Sequence, residues 1–252
     1  MLALKEHIDT IPVHEAFSAE EECPFCYLER QVEQRAIRYT IGPGASYMEP
    51  DVRAVTDRQG FCRQHYKKLY DYGNSLGNAL IMQTYYVGLQ EELDAQLASF
   101  EMPGKKGLFS RKNDRELPLL QWAKGKNRTC FLCGKLEYNM RRYYATFFHL
   151  IQEEEFRKKV ENSKGFCMHH FAQLLEKAEE FLNNDQRQWF YNTVCKLMKE
   201  NLARVQGDLD WFIEKFDYRN ADAPWKNSQD AVSRSMQKLK GGYPADNPYK
   251  DE

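Results

Sequence analysis

The chain has 252 residues, 42% hydrophobic and 29% charged, with a formal net charge of −1, a balance that excludes both a global basic field for nucleic acid and an acidic disordered polypeptide. No run of about 18 apolar residues and no basic-then-apolar leader is present, so no membrane span or export signal is expected. Seven cysteines, an odd number, in such a chain fit a reducing, cytoplasmic setting, where C-x2-C pairs bind metals or do redox work more often than they cross-link.

In chain order, Met1 to Thr10 reads as a helix-forming segment. Cys23-Pro24-Phe25-Cys26 then precedes a helix over Tyr27 to Tyr39, carried by the recurrence of Leu28, Val32, Ala36 and Tyr39. Ile41-Gly42-Pro43-Gly44 stops it, and a loop through Met48-Glu49-Pro50 leads to Gly60-Phe61-Cys62. Arg63 to Tyr72 resumes a helix that ends at Gly73-Asn74. From Asn78 to Phe100 the apolar residues Met82, Tyr86, Leu89, Leu93, Leu97 and Phe100 step by threes and fours, the mark of a long amphipathic helix. Glu101 to Pro118 holds two prolines, two glycines and the basic residues Lys105, Lys106, Arg111, Lys112 and Arg115, which predicts a mobile linker. The second half repeats the plan, and its last helix starts behind the capping residues Asn183-Asn184-Asp185 and runs to Phe216. An irregular tail follows, with Trp225 expected to anchor it and a short helix-like run from Ser228 to Lys240. No stretch alternates as a strand does, so the predicted fold is all-α.

One ligand pattern occurs twice. Cys23-x2-Cys26 is followed after 35 residues by Cys62-x2-His65, and Cys130-x2-Cys133 after 33 residues by Cys167-x2-His170. Two pairs of soft donors separated by a segment long enough to fold back are what a tetrahedral Cys3His site requires. A Cys and a His three apart at a helix start share one face, and the positive end of the helix dipole favours the thiolate that binds metal. The repeat extends further. Sliding the chain by 105 residues lays Arg53 to Phe100 on Lys158 to Val205 without a gap, with Gly60-Phe61-Cys62 on Gly165-Phe166-Cys167 and the apolar positions in phase. The organisation expected is a first metal-binding repeat over 1–100, a basic linker over 101–120, a second repeat over 121–216 and a tail over 217–252, each repeat closing its own four-donor set.

The expected cofactor is zinc, two ions per chain, because three thiolates and an imidazole close a tetrahedral shell. Iron–sulfur clusters on the same ligands are the alternative, since they share thiolate ligation. A thioredoxin-like reading of Cys23-Pro24-Phe25-Cys26 lacks the βαβ context. His170, not the adjacent His169, matches His65 by the repeat. Cys195 reads as a small buried hydrophobe, His149 as a core or boundary histidine and His14 as a solvated loop residue. Tyr85, Tyr86, Tyr143, Tyr144, Phe147, Phe148, Phe190 and Tyr191 could line a pocket between the halves or pack as plain core.

The segment Ile11-Pro12-Val13-His14-Glu15-Ala16-Phe17 ahead of Cys23-Pro24-Phe25-Cys26 belongs to a wider set of features. These are Met48-Glu49-Pro50-Asp51-Val52-Arg53, Gly60-Phe61-Cys62-x2-His65, and Pro224-Trp225 with Asp230-Ala231. Together they resemble, over essentially the whole chain, an uncharacterised family of anaerobic Gram-positive bacteria described only as a domain of unknown function. The resemblance implies a cytoplasmic bacterial protein and supplies no activity and no catalytic residue. No serine–histidine–acid set, phosphate loop or dinucleotide fingerprint is present, so the reading leans away from an enzyme. It points to a binding or scaffolding module with a protein or small-molecule partner and no membrane. Contact with nucleic acid would have to run through the basic linker and Lys124, Lys126 and Arg128, and the ligand spacing is far from that of a C2H2 finger.

Overall fold

A computed structural model describes residues 8–102 and 117–242. Most of the reading of Met1 to Thr10, the five basic residues of the linker and the last ten residues of the tail lie outside the described residues. Among the described residues the chain is all-α, with no strand. The helices are α1 (Thr10–Ser18), α2 (Pro24–Ile41), α3 (Pro50–Gln59), α4 (Arg63–Tyr72), α5 (Ser75–Ala98), α6 (Pro118–Arg128), α7 (Phe131–Leu150), α8 (Glu154–Glu161), α9 (Met168–Phe181), α10 (Asn184–Glu214) and α11 (Ala231–Lys240). None of them is long and apolar enough to cross a membrane.

Four helices lie where loop or linker was expected, α1 among them, since it holds His14. A polar residue, Thr56, fills the buried position four after Val52 in α3, which weakens its apolar periodicity, but Pro50 in its first turn and Asp51 beside it are start signals that could have found it. Its counterpart α8 begins with Glu154 and Glu155 at the positive end of the helix. Residues 118–128, assigned in part to the linker, form α6, which packs on α5.

The chain divides into two compact units: residues 8–32 with 137–242, and residues 33–102 with 117–136. The division falls inside α2 and α7, so each unit draws on both sequence repeats. In the first unit the start of α2 packs on the end of α7, with Phe25 stacked on Tyr144 at 4.6 Å between ring centroids. Phe17, Phe147, Phe156, Phe166 and Phe190 complete an aromatic core there. Offset and edge-on pairs of this kind add to the area each ring buries. In the second unit the end of α2 meets the start of α7: Ile37 and Ile41 share a core with Val52, Phe61, Leu69, Ile81, Phe131 and Leu132.

The aromatic surplus is therefore largely core. Tyr143, Tyr144, Phe147, Phe148 and Phe190 are buried in the first unit. Tyr191 donates to Glu179 at 2.7 Å, and Tyr86 is exposed. The stripe read on α5 faces solvent more than core: Met82, Tyr86, Leu93, Leu97 and Phe100 are exposed, and of that helix only Gly77 and Ile81 are buried. The tail is less irregular than its composition suggested. Its α11 packs on α9 and α10, and Trp225 lies against Phe212 with the Lys215 ammonium 5.2 Å from its ring centroid.

Candidate metal centres

The eight donors come together in two sets of four, and each set takes its C-x2-C from one repeat and its C-x2-H from the other. Cys23, Cys26, Cys167 and His170 form the first set; Cys62, His65, Cys130 and Cys133 form the second. The expectation that each repeat closes its own set is overturned. Helix length is the reason. From Cys26 the rest of α2 runs roughly 22 Å, whereas the 10 residues of α3 span only about 15 Å. In the second repeat, α7 with 20 residues runs about 30 Å and α8 with 8 returns about 12 Å. Each C-x2-H thus meets the C-x2-C of the other repeat instead of its own.

Both pairs are built by the same local device. Gly60 and Gly165 have φ of +57° and +73°, outside the range a side chain readily tolerates. Each turns the chain so that the following phenylalanine enters the core and the next cysteine becomes a helix N-cap, Cys62 on α4 and Cys167 on α9. The histidine then lies one turn along the same face. Cys26 and Cys133 sit in the first turns of α2 and α7. The second set is locked by backbone: Phe131 N–H donates to the Gly60 carbonyl at 3.0 Å. In the first unit a buried cation does that work, the Lys238 ammonium donating to the carbonyls of Glu22 and Lys164, next to Cys23 and Gly165.

In the first set His170 Nδ1 lies 3.5, 3.4 and 3.2 Å from the sulfurs of Cys23, Cys26 and Cys167, and the Cys26 and Cys167 sulfurs are 3.6 Å apart. In the second, His65 Nδ1 lies 3.2, 3.3 and 3.3 Å from the sulfurs of Cys62, Cys130 and Cys133, with Cys62 and Cys133 3.8 Å apart. A tetrahedron with metal–sulfur and metal–nitrogen bonds of about 2.3 and 2.05 Å has edges of about 3.8 and 3.6 Å. The donors are spaced as one tetrahedral ion would space them.

A carboxylate of α2 lies behind the far nitrogen of each imidazole, within hydrogen-bond distance only at His65. His65 Nε2 is 3.1 Å from Glu33, which also pairs with Lys68, and His170 Nε2 is 3.7 Å from Glu29. With an ion bound, a proton kept on Nε2 would leave the Nδ1 lone pair for the metal, the orientation a ligating histidine needs. Sequence reasoning missed both acids. The C-x2-C motifs repeat at a spacing of 107, and the corresponding positions on α7 are Leu136 and Met140, so the repeat carries no signal for them.

The protonation of these donors is that of a site sharing too few positive charges. Burial opposes the charge on His65, yet the Cys130 sulfur and Glu33 raise its pKa to about 10. His170 is likewise raised to about 10 against its burial, by the sulfurs of Cys23 and Cys167. Burial opposes the Cys130 thiolate, but His65 and the amides of Cys133 and Cys62 bring its pKa down to about 6. Burial and the Cys130 sulfur push Cys133 up to about 12. Bonds to Cys23 and Cys26 hold Cys167 well below the thiol range, and bonds to Cys167 and Cys23 hold Cys26 well above it. Each set then holds a thiolate–imidazolium pair, Cys130 with His65 and Cys167 with His170, beside a thiol that keeps its proton, Cys133 and Cys26 respectively, and a divalent cation would displace those protons.

His169 is exposed while His170 is buried, so His170 is the histidine in the set. His14 lies against Phe156 and Lys159, away from both sets. Three readings are corrected: His14 lies in helix α1, half-buried against Phe156, and not in a solvated loop, and Cys195 and His149 are exposed. Beside the second set a groove of about 730 Å³ is lined by Phe61, Tyr66, Tyr85, Leu89 and Trp122, with Cys62, Arg63 and Lys126 among its polar residues. Lys126 and the Trp122 indole both bond to Glu92.

A family model described as "Family of unknown function (DUF6062)" matches residues 4–246. No curated protein and no solved structure matches the chain.

Proposed function

We propose, for a chain that belongs to the family of unknown function DUF6062, that it binds two metal ions, one at each Cys3His set, and that these ions are structural. The observation that carries this reading is the spacing of the donors, 3.2 to 3.8 Å at every measured edge, with a carboxylate behind each imidazole. Four protein donors fill a tetrahedral shell and leave no position for a substrate, which favours a binding or scaffolding role over catalysis. Zinc suits three thiolates and one imidazole. An iron–sulfur cluster spreads its ligands over different irons with sulfides between them, and four donors within 4.8 Å of one another support a single ion instead. Free thiols throughout fit a cytoplasmic location, and the partner is a protein or small molecule.

Elemental analysis of protein purified without oxygen is expected to return about two equivalents of zinc in a colourless sample. A brown sample containing iron and sulfide would replace zinc with the cluster reading, and about one equivalent would remove one of the two sites.

The tail reports on the first set. A Cβ on Gly241 would stand 3.2 Å from the Cys167 sulfur and 3.5 Å from that of Cys26, whereas one on Gly242 would meet nothing within 4 Å. Both glycines have positive φ, +81° and +78°, so both alanine variants carry backbone strain, and the crowding against the sulfurs falls on Gly241 alone. Gly241→Ala should therefore cost about 1–2 kcal/mol more than Gly242→Ala and weaken metal retention at the first set alone. Equal shifts in thermal unfolding would separate the tail from the site.

A further inference from the structure

The two donor sets share their chemistry and differ in exposure. In the first set Cys23, Cys26 and Cys167 are at most 1% exposed. In the second, Cys133 is exposed and Cys62 is half-buried at the edge of the groove. The Cys133 and Cys62 sulfurs are 3.8 Å apart, and a disulfide between them needs that gap to close to about 2.05 Å. Cys130, by contrast, is buried, and its sulfur accepts the Cys133 N–H at 3.4 Å and lies against His65.

We propose that the second set is a thiol oxidation site, where a peroxide joins Cys133 to Cys62 and expels the ion while the first set stays intact. The proposal rests on the metal reading for the ion it releases; the thiol chemistry stands on exposure and geometry. A metal-bound sulfur is already a thiolate, so access decides which sulfur reacts. The exposed Cys133 thiolate attacks one peroxide oxygen, forming an S–O bond, breaking the O–O bond and releasing hydroxide. The Cys62 thiolate then attacks the sulfur of the sulfenic acid, forming the S–S bond and releasing a second hydroxide. Two thiolates have lost one electron each and the peroxide has gained two. An ion bound there would be left with Cys130 and His65 alone, too few donors to hold it. Because Cys62 caps α4 and Cys133 lies in α7, the disulfide marks the second unit alone.

The test treats purified full-length protein with hydrogen peroxide in the presence of a chromogenic zinc indicator, then alkylates and maps the cysteines by mass spectrometry. The exposed Cys195 is removed as background by Cys195→Ser, which touches neither set. About one equivalent should be released while the other is retained. The map should join Cys62 to Cys133 and find Cys23, Cys26 and Cys167 as alkylated thiols. A thiol reductant with added zinc should restore the second equivalent. Release of both equivalents together, loss from the first set, a Cys130–Cys133 disulfide, or unreacted Cys133 would each overturn the proposal. Protein that carries no metal before peroxide refutes the metal reading instead, and the disulfide map still decides the thiol chemistry.

Discussion

Replacing Cys167 by serine is expected to cost more than about 4 kcal/mol and to abolish the cooperative unfolding transition of the first unit, a loss in the range that marks removal of a metal or a core element. Cys167 caps α9, touches the Cys26 sulfur and His170, and is fully buried. The variant loses a ligand, and the remaining thiols and imidazole are left desolvated around it. Cys195→Ser, at an exposed position on α10, should change stability by less than about 0.5 kcal/mol. Circular dichroism melts of the two variants beside the parent make the comparison. Two small and equal shifts would mean that the first set does not hold the unit together.

Acid should have the next largest effect. Protons and the ion compete for the same donors, so metal affinity falls as pH falls. The protein should release its zinc and lose thermal stability as pH is lowered from about 7 toward about 4. The metal-free protein behaves differently. The Cys130 thiol is depressed from 9.0 to about 6, so its contribution is present above the unfolded value and is lost as pH falls through about 6. His65 is raised from 6.5 to about 10, so its contribution is present below 6.5 and is lost as pH rises through about 10. The pair they form is therefore strongest between those folded-state values, and the second unit of chelated protein should melt at its highest temperature near the middle of that window. A melting temperature independent of pH from 5 to 10 in chelated protein would contradict the thiolate–imidazolium pair.

The helical fold and the gathering of the eight donors were legible because both depend on local signals. Four-residue periodicity marks helices, and soft ligands three apart at a helix start share one face whatever happens elsewhere. The partner of each pair was not legible. Spacing along the chain says that Cys23 and Cys62 could meet; only the mismatch between α2 and the shorter α3 says that they do not. Glu29 and Glu33 were hidden because charged residues on a helix are ordinarily solvated, and nothing in the repeat singles them out. The stripe on α5 shows the converse failure, since apolar periodicity predicts an amphipathic helix but not that its stripe is covered. Cys195 was misjudged on composition, cysteine being a residue usually found inside.

The central claim, that each set is shared between the repeats, is tested most directly by expressing residues 1–102 and 117–252 as separate chains. Crossed sets leave each piece with two incomplete pairs, so each alone should lack a cooperative melt and hold zinc only weakly. Mixed with zinc, the two should associate, bind about two equivalents per pair of pieces and recover a cooperative transition. Either piece folding by itself around one tightly held ion would show that each repeat closes its own site and would contradict the account.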